Sequence, residues 1–204
     1  LINSKIRRAI KKVKKISKKF NEHPFNSIIK SLNFKLTKDQ INAINEINND
    51  LRSDRKMFRL LQGDVGSGKT IVSLLSAFNT IQSGFQVAVM APTEILARQH
   101  FNLAKKIFPK NLSINLISGK TDYKIRKDIL NGLSTNKIDI IFGTHAIFQK
   151  KITFNKLGLI IIDEQHKFGV NQRKKLSDKG GDDCDVLLMT ATPIPRTLTM
   201  TIYG

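Results

Sequence analysis

Residues 63–70 of this chain have the composition of a phosphate-binding loop. They run Gly-Asp-Val-Gly-Ser-Gly-Lys-Thr and fit the pattern G-x-x-x-x-G-K-[ST]. Glycines permit backbone angles that direct several N–H groups at phosphate oxygens, and a helix starting near Lys69 adds the positive end of its dipole. The pattern assigns Lys69 to the β- and γ-phosphates and Thr70 to Mg²⁺. The rest of the predicted cradle is Gly63, Gly66, Ser67 and Gly68.

Two adjacent carboxylates, Asp163 and Glu164, follow the apolar run Leu-Ile-Ile-Ile at residues 159–162. They are predicted to emerge where a buried strand ends, at the edge of a sheet where ligands bind. Asp163 suits Mg²⁺ held through water, and Glu164 suits the orientation and deprotonation of an attacking water. A solvated strand end is the alternative, which the loop at 63–70 disfavours. His166 either links this site to the next motif or is a structural histidine. Together the two motifs predict a nucleoside triphosphatase that uses Mg²⁺.

The spacing of apolar residues predicts an α/β fold, a parallel sheet with helices on both faces. Continuous apolar runs are typical of its central strands. With 204 residues, the chain is long enough for one such domain. Thr37 is the predicted N-cap of the first helix in this region. The predicted helices are residues 36–50, 69–82, 93–107 and 123–133, and the predicted strands are 57–62, 86–91, 113–118, 138–142, 157–162 and 185–189.

The chain has 35 Lys and Arg against 16 Asp and Glu, a formal net charge of +19. Such an excess favours a polyanionic partner, nucleic acid above all, although an AT-rich genome also enriches Lys, Asn and Ile together. Residues 5–20 have apolar side chains at helical spacing, which predicts a basic amphipathic helix ending at residues 21–24. We expect its apolar side to dock on the domain and its lysines to attract phosphate; solvated lysines and a membrane surface are the alternatives. The predicted division is a basic connecting helix and linker at 1–30 and the nucleotide-binding domain at 31–204.

Several other classes of protein are disfavoured by composition. Cys184 is the only cysteine, so an internal disulfide is impossible, which suits the reducing cytoplasm where we expect the protein. Apolar runs such as residues 157–162 fall well short of the ~18 residues of a membrane span. No signal peptide or metal-spaced His/Cys cluster is visible. Because the chain starts at Leu1 and stops in mid-pattern at Gly204, we interpret it as a piece of a longer protein.

Five short segments, taken in order, resemble the motifs of superfamily-2 helicases. They are residues 63–70 (motif I), 91–94 (Ala-Pro-Thr-Glu, motif Ia), 143–145 (Gly-Thr-His, motif Ib), 163–166 (Asp-Glu-Gln-His, motif II, a DExH box) and 190–192 (Thr-Ala-Thr, motif III). Longer strings, at 62–70, 90–100, 143–149, 163–173 and 189–197, resemble the bacterial members that act on branched DNA. The resemblance extends from about residue 34 to residue 204 and implies the first of two RecA-like motor domains.

The resemblance also implies roles for residues that the spacing alone does not reveal. Gln40 lies where such helicases contact adenine through both ends of an amide; a surface glutamine is the alternative. Thr190 and Thr192 would relay the state of the γ-phosphate to the DNA contacts, and Arg196 would join them or form a surface salt bridge. Loops after two strands would contact the DNA backbone, with capping and turn formation as alternatives. The residues concerned are Pro92, Thr93, Glu94, Gly143, Thr144 and His145.

The activity implied is that of an ATP-dependent DNA helicase, monomeric, acting on branched or duplex DNA in fork regression, branch migration, recombination and repair. Two alternatives stay open: a duplex translocase of the transcription-repair coupling type, and a non-catalytic DNA-binding module switched by ATP. The family also has a second RecA-like domain with an arginine finger and an N-terminal wedge domain. We expect both in the parent chain, and we expect residues 1–204 alone to bind Mg²⁺-ATP but to hydrolyse it poorly.

Overall fold

The computed structural model describes residues 2–3, 14–149, 151–164 and 181–191. Within them the strands are β1 (Ile2–Asn3), β2 (Phe58–Gly63), β3 (Gln86–Met90), β4 (Ile114–Ile117), β5 (Ile140–Gly143), β6 (Leu157–Asp163) and β7 (Asp185–Thr190). They form one sheet in the order β1-β2-β7-β6-β3-β5-β4. Strands β2 to β7 are parallel to their neighbours, and the short β1 is antiparallel to β2.

Helices cover both faces of this sheet, as the sequence predicts. They are α1 (Glu22–Ser31), α2 (Lys38–Arg52), α3 (Lys69–Gln82), α4 (Glu94–Ile107) and α5 (Tyr123–Ser134), with a short 3₁₀ helix at His145–Phe148. Successive residues of a strand point to opposite faces. Val87 and Val89 accordingly join the core beneath α1 to α4, while Ala88 and Met90 join the core beneath α5. The predicted α/β class is therefore confirmed.

Each helix and strand predicted between residues 36 and 190 is present, with bounds that differ by no more than two residues. Thr37 caps α2 as predicted, because its side chain accepts from the Gln40 N–H while the Gln40 side chain accepts from the Thr37 N–H. This reciprocal arrangement is a capping box. No helix in the described part of the chain is long and apolar enough to cross a membrane.

The predicted helix over residues 5–20 is wrong where the structure describes it; residues 4–13 lie outside the described residues. Residues 14–20 are not helical. Their backbone pairs with the end of α2 and the loop after it, since Lys15 N donates to Asp54 O at 2.9 Å and Lys18 N to Leu51 O at 3.0 Å. Helix α1 instead begins where the predicted helix was to stop, with Asn21 as its N-cap and Pro24 in its first turn. Proline is tolerated there because a first-turn N–H has no partner within the helix.

Two lysines of the basic segment are buried against an aspartate, and we call Lys15, Lys18 and Asp185 the lysine–aspartate cluster. Lys15 Nζ donates to both carboxylate oxygens of Asp185, at 2.8 and 2.7 Å, and Lys18 Nζ donates to one of them at 2.7 Å. All three side chains are 0% exposed. Burial lowers the pKa of Lys15, while Asp185 opposes that shift. These two lysines are therefore unavailable to DNA phosphates, which corrects that part of the expectation, whereas Lys14 and Lys19 are exposed.

Candidate active site

The carboxyl ends of β2, β7 and β6 bring the two chemical motifs to one edge of the sheet. Strand β7 lies between the other two, with Thr190 paired to Gln62 and Met189 paired to Asp163. Neighbouring strands are about 4.8 Å apart, so the start of the loop at 63–70 and Asp163 are separated by roughly 10 Å. That distance leaves room for phosphate groups between the loop and the carboxylate.

The loop at 63–70 curls into a cradle because two of its glycines adopt left-handed backbone angles. Gly66 has φ 79° and Gly68 has φ 83°, a region that side chains with a Cβ rarely adopt. Helix α3 starts directly after Gly68. The Lys69 ammonium lies within the curve of the loop, where Nζ donates to Gly63 O at 2.6 Å and to Asp64 O at 2.8 Å. When a phosphate binds, the ammonium would give up these two neutral carbonyl oxygens and contact charged phosphate oxygens instead.

The chemistry of the loop fits a bound Mg²⁺-nucleotide. Ser67 Oγ is buried and has no hydrogen-bond partner among the described residues. A buried hydroxyl of this kind is costly, and a phosphate oxygen would supply the missing partner. Thr70 and Asp163 offer oxygen ligands, the type Mg²⁺ prefers, and Mg²⁺ is usually held by one or two carboxylates together with phosphate and water.

Gln40 braces the loop from the first turn of α2. Its Oε1 accepts from Thr37 N at 2.9 Å, and its Nε2 donates to Ser67 O at 2.9 Å. The side chain packs so closely that a Cβ on Gly68 would collide with the amide. A glutamine amide has two donors and two acceptor positions, so one of each is left over. The predicted contact of Gln40 with adenine stays a prediction and would use that remaining pair.

The two loop glycines should respond differently to alanine. Gly66→Ala introduces only an unfavourable backbone angle, because no atom lies within 4 Å of the added Cβ, and should cost about 1–2 kcal/mol of stability. Gly68→Ala adds a collision with Gln40 to the same strain and should cost more. Thermal unfolding without nucleotide measures both, and Gly84→Ala, at φ 78° and also free of neighbours within 4 Å, is the control outside the loop. Equal losses at all three positions would contradict the bracing contact.

The carboxylate pair lies at the end of β6, and each acid has a distinct environment. Asp163 is 8% exposed, and its Oδ2 lies 2.8 Å from Nε2 of His100 on α4. Glu164 is half-buried and has φ 52°, which ends the extended backbone of the strand. A positive φ costs a residue with a side chain about 1–2 kcal/mol. Such strain is frequent at functional sites.

His100 is a residue of this site that the sequence analysis did not single out. It lies on the buried side of α4 with Ala97 and Ala104, at a spacing of three and four residues. A polar side chain on the buried face of an amphipathic helix requires a partner. Its position on the buried face could therefore have indicated that His100 has a buried partner. The identity of that partner could not be predicted, because it depends on the order of the strands in the sheet.

The loops predicted to contact DNA lie at the same edge, and several of their residues also have structural roles. Thr93 Oγ1 accepts from Leu96 N at 3.3 Å as the N-cap of α4, and Glu94 Oε1 accepts from Gly119 N at 2.8 Å. Gly143 is packed so tightly that a Cβ would collide with the Ile117 carbonyl. Pro92 and Thr144 are half-buried and His145 is exposed. The DNA contacts of this group stay predictions.

Of the remaining predicted site residues, one lies within the described part of the chain and three lie outside it. Thr190 is buried at the end of β7, between the phosphate loop and Asp163. His166, Thr192 and Arg196 lie outside the described residues. The structure thus brings together the phosphate loop, Gln40, Thr190 and the carboxylate pair.

A Gly-rich loop between a strand and a helix, on a parallel sheet with an acidic strand end two strands away, defines a P-loop nucleoside triphosphatase fold. A family model described as DEAD/DEAH box helicase matches residues 37–201. The chain belongs to the DEAD/DEAH box helicase family.

Within that family, the chain is similar in sequence and structure to RecG helicases. The chain is 51% identical to the ATP-dependent DNA helicase RecG of Streptococcus pneumoniae over 85% of this chain and 26% of that protein. It is 49% identical to RecG of Bacillus subtilis over 93% of this chain and 28% of that protein. A solved structure of RecG bound to a three-way DNA junction matches with a TM-score of 0.82 and 43% identity, over 95% of this chain and 26% of that one. The chain thus spans about a quarter of the length of these relatives, 26–28%.

Proposed function

We propose that this chain is the ATP-binding motor domain of an ATP-dependent DNA helicase that acts on branched DNA. The observation that carries the proposal is the placement of the phosphate loop, Thr190 and the carboxylate pair on three neighbouring strands, β2, β7 and β6. The likeness to RecG supports the substrate class, because one such relative was solved with a three-way DNA junction. Fork regression, branch migration, recombination and repair are the processes we propose for the parent protein.

In this proposal the described residues of the site divide the work of binding and hydrolysis among them. The backbone N–H groups of residues 66–70 and the Lys69 ammonium bind the phosphates, and Ser67 Oγ gains its missing partner. Thr70 and Asp163 hold Mg²⁺, which when bound neutralises charge on the phosphate oxygens. Glu164 orients and deprotonates the attacking water. Gln40 keeps the loop in shape and contacts adenine with its remaining donor and acceptor.

Transfer of force to DNA needs parts beyond this domain. We propose that the parent protein is a monomer that contributes a second RecA-like domain with the arginine finger and an N-terminal wedge domain. The greater length of the RecG relatives supports this, since the chain matches only 26–28% of them. Within the described part, β7 would relay the state of the γ-phosphate through Thr190, and the loops that start α4 and the 3₁₀ helix would hold the DNA backbone.

The two alternatives predict different behaviour. A duplex translocase of the transcription-repair coupling type would move on linear DNA, and identities of 49–51% to RecG favour the branched-DNA helicase instead. A non-catalytic module switched by ATP has no use for a hydrolytic base. Glu164 beside a buried Asp163 therefore favours an enzyme.

The decisive experiment uses the parent protein with a three-way DNA junction and a linear duplex of the same total length. We expect the junction to stimulate ATP hydrolysis more than the duplex and to be unwound only with hydrolysable ATP. ADP in place of ATP is the control. Equal stimulation by linear duplex without strand separation would favour the translocase, and nucleotide-dependent DNA binding without hydrolysis would favour the switch.

A further inference from the structure

We propose that His100 is a positioning residue that fixes the Asp163 carboxylate in the orientation required for Mg²⁺. The proposal rests on the proposed function, because it concerns the ion bound with ATP. It assigns a role at the nucleotide site to a side chain on α4, a helix whose first turn is otherwise predicted to contact DNA.

The contact between the two side chains is short and enclosed. His100 Nε2 lies 2.8 Å from Asp163 Oδ2, and the two residues are 7% and 8% exposed. An ionised carboxylate can only accept hydrogen bonds, so the imidazole donates from Nε2. This bond engages Oδ2, so the proposal assigns the other carboxylate oxygen, Oδ1, to the ion. Carboxylates that take part in binding metals are commonly oriented by a partner of this kind.

Both partners are held by rigid elements. Strand β6 is buried along its whole length and is paired on both sides, with β3 and β7. Helix α4 packs through Ala97 at 1% and Ala104 at 0% exposure, one turn before and one turn after His100. The small alanines let the helix approach the sheet, so the imidazole reaches Asp163. The rotation of the carboxylate is thereby restricted on one side.

Removal of the imidazole should have two separable consequences. A buried Asp163 without its donor costs stability, as any unsatisfied buried acceptor does. The freed carboxylate would also rotate, which weakens its hold on the ion without altering the Lys69 contacts. The second effect is specific to a positioning role and appears only when Mg²⁺ is present.

Glutamine and methionine at position 100 form a matched pair. The two side chains have similar length and volume, but only glutamine has an N–H donor near the place of Nε2. We would measure the affinity of His100→Gln and His100→Met for a fluorescent ATP analogue with Mg²⁺ and with EDTA, using the full chain. We would also titrate Mg²⁺ to find the half-saturating concentration for nucleotide binding. Circular dichroism would confirm that both variants fold.

We expect His100→Met to raise the half-saturating Mg²⁺ concentration by roughly 10-fold, the lower end of effects seen for such orienting partners. Its affinity in EDTA should match that of the unaltered protein, and His100→Gln should retain most of the Mg²⁺ dependence. In an Asp163→Asn background the difference between the two substitutions should vanish, as a double-mutant cycle requires of residues acting through one contact.

Three outcomes would count against the proposal in distinguishable ways. If Gln and Met give the same Mg²⁺ dependence as His, His100 has only a structural role, while the proposed function stands. If Met lowers affinity equally with Mg²⁺ and with EDTA, or if either variant fails to fold, the effect is on the fold and the proposal is likewise overturned. If the unaltered chain binds no ATP, or if Asp163→Asn leaves its Mg²⁺ dependence intact, the proposed function itself is wrong.

Discussion

Lys69→Ala should weaken ATP binding by at least about 10-fold, whereas Glu164→Gln should bind ATP normally and lose hydrolysis. Lys69 lies inside the loop, where its Nζ donates to Gly63 O and Asp64 O, and in its proposed role it contacts the phosphates in the ground state. Each hydrogen bond to a charged group contributes about 1.5–3 kcal/mol, so loss of the ammonium should weaken binding by one to several orders of magnitude. In its proposed role Glu164 acts on the water, so its loss should slow turnover about 10²–10⁴-fold.

Equilibrium binding and single-turnover hydrolysis, the latter in the parent protein, measure the two effects separately. Glu22→Gln is the control for the same chemical change at a distance, because Glu22 is exposed on α1 and forms an exposed ion pair with Arg52, at 3.4 Å. Interactions present only in the transition state change kcat, whereas those present in both states change affinity. A similar loss of affinity in Lys69→Ala and Glu164→Gln would overturn this assignment of roles.

Asp185→Asn should destabilise the domain by about 3–5 kcal/mol at neutral pH, the cost of breaking a buried ion pair on one side. The substitution keeps the shape of the side chain but removes the buried negative charge that the ammonium groups of Lys15 and Lys18 both contact. Domains are typically stable by only about 5–15 kcal/mol, so much of the total would be lost. Chemical denaturation measures it. Glu22→Gln, which removes an exposed pair, should cost no more than about 1 kcal/mol.

The destabilisation caused by Asp185→Asn should decrease as the pH is raised. Burial already lowers the pKa of Lys15 in the folded protein, and Asp185 limits that shift. Without the carboxylate, the pKa of Lys15 in the folded protein falls further. Between that lowered pKa and the unfolded value near 10.5, the unfolded state therefore binds more protons than the folded state. Stability therefore rises with pH in that window, and the variant should approach the unaltered protein. A difference that stays constant from pH 7 to pH 10 would contradict this explanation.

The parts of the fold and site that the sequence predicts are those determined by local patterns. The loop at 63–70 is recognisable because glycine, lysine and threonine at fixed spacing have few other uses, and helix α3 follows at the predicted residues. The central strands are recognisable because they are buried on both faces and are therefore continuously apolar, as β6 is. Asp163 ends that strand and Glu164 follows it directly, so their place at the sheet edge could be predicted without knowledge of distant contacts.

The features that the sequence could not predict depend on partners far along the chain. Lys15 and Lys18 read as solvated positions of an amphipathic helix, but their partner Asp185 is 170 and 167 residues away. Pro24 was interpreted as the end of a helix, yet the same geometry suits the first turn of α1. The contact of His100 with Asp163 spans 63 residues and requires α4 to lie close to the carboxyl end of β6. The periodicity of apolar residues predicts which side of a helix or strand is buried, but it does not predict which element packs against that side.

Strand β7 has a mechanical consequence because of what lies at its two ends. Asp185 at its amino end is tied to Lys15 and Lys18, and Thr190 at its carboxyl end pairs with Gln62 next to the phosphate loop. Six strand residues span about 20 Å. Tension that reaches Lys15 and Lys18 would thus enter a central strand that is bonded to β2 and β6 along its length. Force directed along the strand would be resisted in shear by many hydrogen bonds at once, so β7 would carry it towards the phosphate loop without peeling the sheet open.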